Sequence, residues 1–218
     1  LKEMGVHLAN TIDEIETEAV IIRCHGVTPE VLKELENRNL EIIDATCPNV
    51  TRVHTQESIL ARKYGITLIV GDETHPEVVG ICGCVRAAKG EVYVCKSAEG
   101  IPSLLAGLEI GVVVQTTESE KNLRDGLDRL EKMHCKVHLR NTICHATRVR
   151  QAAAATLSSR VDVMIVLGGR NSANTVRLTE ICAENCKDVL LIQNLKEIDH
   201  IDFHHFLQEG RGFLKIGI

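Results

Sequence analysis

Eight short runs rich in β-branched residues recur along the chain: AVIIR (19–23), LEIID (40–44), ITLIVG (66–71), EVYVC (91–95), GVVVQ (111–115), VDVMIVLG (161–168), DVLLI (188–192) and FLKIGI (213–218). Most are apolar at nearly every position rather than every second one, the pattern of strands buried on both faces. Between them lie stretches with helical spacing: PEVLKELENR, TRVHTQESILARKYG, SEKNLRDGLDRLEKM, TRVRQAAAATLSSR and NTVRLTEICAENC. Strands covered on both sides and separated by helices call for parallel pairing, because a helix-length crossover returns the chain to run the next strand in the same direction. The expected fold class is therefore α/β, made of repeated small parallel-sheet units.

Composition narrows the chemistry. The 218 residues are enough to bury a large core, but aromatic residues make up only 2% and Trp is absent, so that core must be aliphatic. The same scarcity argues against stacking single-stranded bases, and a formal charge of −5 lacks the basic footprint of a phosphate-backbone binder. No nucleic-acid partner is expected. No apolar run approaches the roughly 20 residues that span a bilayer, and LKEMGVHLANTIDEIE has no signal-peptide pattern. A cytoplasmic location without a membrane partner follows as an expectation. The nine cysteines are an odd number, with no CxxC pair and one C-x-C (Cys82, Cys84). Intracellular cysteines of this kind fill cores, ligate metals or act as catalytic thiols.

An internal repeat separates those roles. Cys47 in TCPNVTRV and Cys144 in ICHATRV each precede a helix carrying Thr-Arg-Val. Twenty-eight residues beyond Cys47 stands His75 in LIVGDETHPE, and twenty-eight beyond Cys144 stands Ser172 in IVLGGRNSAN. Each follows a strand that ends in glycine, Gly71 or Gly168. The unit reads cysteine, helix, strand, Gly turn, polar cluster, helix. Further polar turns, CHG at 24–26 and QTT at 115–117, follow other strands. All of them lie beyond the carboxyl ends of expected parallel strands, where open α/β sheets place ligands. The expected division is a remnant of a first unit at 1–46, a second unit at 47–143 and a third, incomplete at its C-terminus, at 144–218.

HGVTPE, DATCPNVTRVH, VGDETHPEV, VQTT, ICHATRVRQ and GGRNSANTVRL, in this order, resemble the LytB family of 4-hydroxy-3-methylbut-2-enyl diphosphate reductases. The resemblance runs from about residue 20 to the last residue. It implies three similar α/β units in a pseudo-threefold trefoil around a central [4Fe-4S] cluster. It also implies reductive dehydroxylation of an allylic diphosphate to isopentenyl and dimethylallyl diphosphates, the last step of the methylerythritol phosphate route, with electrons from a ferredoxin- or flavodoxin-type donor. Carried over by position, Cys47 and Cys144 match two of three cluster thiolates. His25, His75, Ser172 and Asn174 match positions lining the diphosphate site. Glu77 matches a carboxylate implicated in proton delivery, and Thr116 a hydroxyl beside it.

Three departures accompany the match. The family's first cysteine, in a CxGVxRA-like segment, and a phosphate-binding His after it have no counterpart, so the chain is expected to start downstream of both. A TAGAST-like loop should follow FLKIGI, where the sequence stops at Ile218. The family's NSSN reads NSAN, with Ala173 in place of a Ser. With two thiolates only, the chain alone is expected to hold no stable four-iron cluster and to show no reductase activity, and part of the first unit's apolar surface is expected to lie uncovered.

The residue types suit that chemistry on physical grounds. Thiolates are strong soft donors for iron, and a diphosphate needs imidazole, hydroxyl, amide and backbone N–H donors. Each residue also has a plainer reading. Cys24, Cys82, Cys84, Cys95, Cys135, Cys182 and Cys186 read as core filling. Ser172 and Asn174 read equally as helix caps, and Glu77 as a charge favoured at a helix start. Two other functions remain open: an inactive diphosphate-binding fragment, and a metal-binding interaction domain using Cys47 and Cys144.

Overall fold

The structure is a computed structural model that describes residues 2–207 and 213–218. In chain order its regular elements are β1 (Ala19–Ile22), α1 (Pro29–Asn37), β2 (Glu41–Asp44), α2 (Pro48–Tyr64), β3 (Ile66–Val70), α3 (Pro76–Ala87), β4 (Glu91–Cys95), β5 (Glu109–Val114), α4 (Glu120–Lys132), β6 (Lys136–Arg140), α5 (His145–Ser158), β7 (Val163–Leu167), α6 (Ala173–Ala183), β8 (Asp188–Ile192), α7 (Leu195–Ile198) and β9 (Ile216–Gly217). Among the described residues these strands form three sheets, ordered β1-β2, β4-β3-β5-β6 and β8-β7-β9, and every pairing is parallel. The expected α/β class of repeated small parallel sheets is the one observed.

The chain divides into two compact units, residues 1–115 with 124–142 and residues 116–123 with 143–218. In the first, β3 and β5 are central strands whose residues Leu68, Ile69 and Val112 to Val114 are completely buried. Helices α2 and α3 cover one face through Val53, Leu60, Val78 and Ile81, which pack on Ile69 and Val113. Full burial of such a side chain contributes about 1.5–3 kcal/mol. Ile21 of β1 and Ile43 of β2 stay about half exposed, at 49% and 48%. In the second unit Met164, Val166, Cys182 and Cys186 form one apolar cluster, and Val163, Ile165 and Ile192 another.

The repeat is a repeat of backbone. Counted from Cys47 and from Cys144, β3 and β7 share their bounds, and α3 and α6 begin at the same offset. Strand order agrees too: β4-β3-β5 is matched by β8-β7-β9, and β1-β2 by β5-β6. The strand-end glycines have a steric cause. A Cβ on Gly71 would meet Val78 at 3.1 Å, and one on Gly168 would run into Thr175, the residue at the same place in α6. Strand β6 was absent from the sequence expectations. Its KVHLR has no continuous apolar run, because it is an edge strand, half-buried and carrying Lys136, His138 and Arg140.

Candidate functional site

In the first unit three helices open on an X-Pro pair: Thr28-Pro29, Cys47-Pro48 and His75-Pro76. Proline in the first turn forfeits no helical hydrogen bond, and it holds the residue before it extended. Cys47 (φ −59°, ψ 131°) and His75 (φ −71°, ψ 132°) are so held, as N-caps in the loops after β2 and β3. Cys47 donates its N–H to the Cys24 carbonyl at 3.0 Å, its thiol does not cap the helix, and it is partly buried.

His75 does cap its helix. Its Nδ1 accepts the Glu77 N–H at 3.2 Å, so the neutral ring carries its proton on Nε2. His25 sits in the turn after β1, closed by Gly26 N–H to Arg23 carbonyl at 2.9 Å with Gly26 left-handed at φ 71°. The two imidazoles meet edge to face, ring centres 5.2 Å apart. Burial, helped by the positive charge of Arg23, lowers the pKa of His25. Burial and then His25 lower that of His75, with Asp72 opposing. Both rings are therefore neutral near pH 7. Asp72 is held well below the usual carboxylate range by the Thr74 hydroxyl, Lys96 at 3.0 Å and the Thr74 amide. Glu77, in the first turn of α3, is 1% exposed.

In the second unit Thr116 follows β5 and is buried. Its carbonyl accepts the Cys144 N–H at 2.9 Å, the bond that Cys47 makes with Cys24. Thr116 and Cys24 thus hold equivalent turns, and Cys144 caps α5 as Cys47 caps α2. Ser172 caps α6, its Oγ accepting the Thr175 N–H at 3.4 Å. Asn174, two residues further, is half-buried, and its Oδ1 is shielded without a hydrogen-bond partner. Nearby, the buried Glu118 takes an ion pair from Arg177 at 2.5 Å, and its carbonyl accepts from Gln151 Nε2 at 3.1 Å.

Sequence reasoning missed one cluster. His54 and Glu57 of α2 and Cys84 of α3 each place a ligand atom within 4.8 Å of the others. Glu57 is fully buried, and neither its oxygens nor His54 Nε2 has a hydrogen-bond partner. Burial, with the charge of Glu77 adding, pushes Glu57 up to about 9, while the Cys84 thiol pulls the other way without hydrogen-bond geometry. Burial and then Glu57 push Cys84 up to about 12. A signal existed in the sequence: Glu57 interrupts the apolar stripe of Val50, Val53, Leu60 and Ala61 on α2.

Parallel α/β repeats whose cysteine and histidine helix caps stand beyond strand carboxyl ends define a class that gathers ligand-binding groups at those ends. Within it, the chain belongs to the LytB family, whose model, described as LytB protein, matches residues 1–218. The chain is 40% identical over 218 residues to the 4-hydroxy-3-methylbut-2-enyl diphosphate reductase of Geobacter metallireducens, covering 100% of this chain and 74% of that protein. It is 44% identical over 184 residues to the reductase of Geotalea uraniireducens (84% and 64% covered) and 36% identical over 218 residues to that of Aquifex aeolicus (100% and 73%). A solved (E)-4-hydroxy-3-methyl-but-2-enyl diphosphate reductase, the terminal enzyme of the non-mevalonate pathway, aligns with a TM-score of 0.64 at 35% identity, covering 99% of this chain and 74% of that one. The Plasmodium falciparum E-1-hydroxy-2-methyl-but-2-enyl-4-diphosphate reductase aligns at 0.81 with 23% identity over 99% and 66%, a likeness of fold. No helix among the described residues is long and apolar enough to cross a membrane.

Proposed function

We propose that the chain acts in isoprenoid biosynthesis as a reductase that removes the hydroxyl of 4-hydroxy-3-methylbut-2-enyl diphosphate, giving isopentenyl and dimethylallyl diphosphates. The observation that carries this reading is the His25–His75 pair, two neutral imidazoles 5.2 Å apart at strand ends, one with its Nε2 proton turned free by the Glu77 amide. Such a pair donates to diphosphate oxygens and gains protons as the anion arrives. Ser172 and Asn174, at the start of α6, add a hydroxyl and an amide where helix N–H groups already favour an anion.

Dehydroxylation breaks one C–O bond and consumes two electrons and two protons; one proton leaves with the hydroxyl as water and one ends on carbon. Glu77, buried beside the histidine pair, is the proposed proton source, with the Thr116 hydroxyl as its partner in the relay. Cys47 and Cys144 are proposed as thiolate ligands of a [4Fe-4S] cluster. The donor set fits: both sulfurs are partly buried, outside any disulfide, and sit at helix starts. When bound, such a cluster supplies single electrons and Lewis acidity. A ferredoxin- or flavodoxin-type protein is the proposed donor. Nine cysteines without a disulfide fit a reducing, cytoplasmic compartment, and we read the repeats as 1–46, 47–143 and 144–218.

Anaerobic incubation of the chain, joined to a relative's CxGVxRA-like and TAGAST-like segments so that the third thiolate is supplied, with the allylic diphosphate and reduced viologen tests the function. Formation of the two dehydroxylated diphosphates, lost in His25→Asn and His75→Asn, is the expected result. A reconstituted, folded protein that consumes no substrate would refute it.

A further inference from the structure

We propose that His54, Glu57 and Cys84 form a buried site for a divalent metal of zinc type, built into the α2–α3 helix pair and separate from the Cys47 and Cys144 thiolates. Residues 54 and 57 are three apart on α2 and so lie on one helix face, and Cys84 reaches them from α3. The three ligand atoms all lie within 4.8 Å of one another, and Glu57 and His54 Nε2 make no hydrogen bond there. In a tetrahedral zinc site, with bonds of about 2.0–2.3 Å, donor atoms stand roughly 3.3–3.8 Å apart, a spacing within that limit.

Three observations point to a ligand rather than to core filling. First, Glu57 is 0% exposed, and both carboxylate oxygens lack partners; His54 Nε2, equally shielded, lacks one too. Buried carboxylates are ordinarily paired, hydrogen-bonded or metal-bound. Glu77, whose charge acts on it, is acidic and brings no cation to pair with it. Second, space is kept for the imidazole: a Cβ on Gly80 would stand 3.1 Å from His54 Nε2, and one on Gly26 3.1 Å from His54 Cε1. Third, the fold does not need these side chains. In the sister repeat the corresponding residues are Gln151, Ala154 and Ile181, and Ala154 packs into an apolar cluster.

One nitrogen, one oxygen and one sulfur suit zinc, with a fourth position open. Binding replaces the carboxyl and thiol protons, so Zn2+ enters as two protons leave and the buried site stays electrically neutral.

The test uses the full chain, reduced, anaerobic and stripped by chelator, with Cys47→Ser and Cys144→Ser removing the other thiolates. Zinc is titrated against a chromophoric competitor, and Tm is followed. One zinc per chain should survive gel filtration and raise Tm by about 5 °C when in excess. Adding Glu57→Val should abolish both effects while leaving circular dichroism unchanged, and Cys84→Ala should remove the thiolate-to-metal absorption seen with Co2+. Failure of the doubly substituted chain to retain zinc, or equal retention after Glu57→Val, overturns the site. Should the double substitution prevent folding, Glu57→Val alone in the otherwise unaltered chain decides: zinc content falls by one per chain, or the proposal is wrong.

Discussion

The α2–β3–α3 segment and the α5–β7–α6 segment are one backbone written twice with different side chains. Both start at a cysteine cap, end their strand at a glycine, and cap the second helix with a polar residue at the same offset. At corresponding positions His54 becomes Gln151, Glu57 becomes Ala154, Glu77 becomes Asn174, Gly80 becomes Arg177 and Gly83 becomes Glu180. The first copy packs α3 so closely that a Cβ on Gly83 would lie 2.6 Å from Thr28 Cβ. In the second copy, Arg177 and Glu180 form a 2.6 Å ion pair on the helix surface. Caps, glycines and apolar contacts set the path of the chain, which leaves the remaining positions free for ligand chemistry.

The equivalence of the two cysteine caps is the sharpest point to break. After anaerobic reconstitution with iron and sulfide of the chain joined to a relative's segment carrying the third cysteine, Cys47→Ser and Cys144→Ser should each lose essentially all the iron that the unsubstituted protein retains, and Cys182→Ala, in an apolar cluster, should lose none. Normal iron and sulfide in either serine variant would end the equivalence.

The pair Glu77 and Asn174 should behave differently. Glu77→Gln is expected to lower kcat about 100- to 1000-fold with KM within about threefold, because it keeps shape and removes an acid. Asn174→Asp, which sets a negative charge where the diphosphate is proposed to lie, should raise KM about tenfold instead. Steady-state kinetics that show the same pattern for both would erase the distinction.

For packing, Gly83→Ala should cost about 1–3 kcal/mol in urea unfolding, whereas Glu180→Ala should stay within about 0.5 kcal/mol. Equal losses would mean that the two helix pairs are packed alike.

The smallest effect is on pH. His25 and His75 have pKa values lowered from 6.5 in the free protein, and an anion beside them raises them again. Binding therefore takes up protons, and affinity for pyrophosphate should weaken as pH rises through the window from below 6.5 upward, by roughly 3- to 10-fold beyond the ligand's own titration. Calorimetry of the parent chain against His25→Asn with His75→Asn isolates that part. A parent profile parallel to the double variant's would remove the histidines from the site.

Much of the fold was legible because its signals are local. Continuous apolar runs gave β3, β5 and β7, and the matched spacing from Cys47 to His75 and Cys144 to Ser172 proved to run from helix cap to helix cap. Strand β6 escaped because its pairing with β5, not its own residues, makes it a strand. The turns proposed to bind ligand were legible as punctuation: Gly, Pro and polar residues after apolar runs. The His54, Glu57 and Cys84 cluster was not, since Cys84 comes from another helix and only packing of α2 on α3 brings it near. Glu57 on an apolar stripe marked a place of interest without naming its partners.

Every described strand pair is parallel, so no pair is closed by a hairpin. The kinetic consequence is that no described sheet contact forms across a tight turn; each must wait for a crossover to fold back. Loop-closure entropy is spent before pairing returns anything, and relative contact order is correspondingly high. Refolding from denaturant is therefore expected on the slow side, in roughly milliseconds to seconds, with helix signal developing ahead of the near-ultraviolet signature of packing. During that interval the apolar faces of β3 and β5 stand open to other chains, so refolding yield should fall as protein concentration rises.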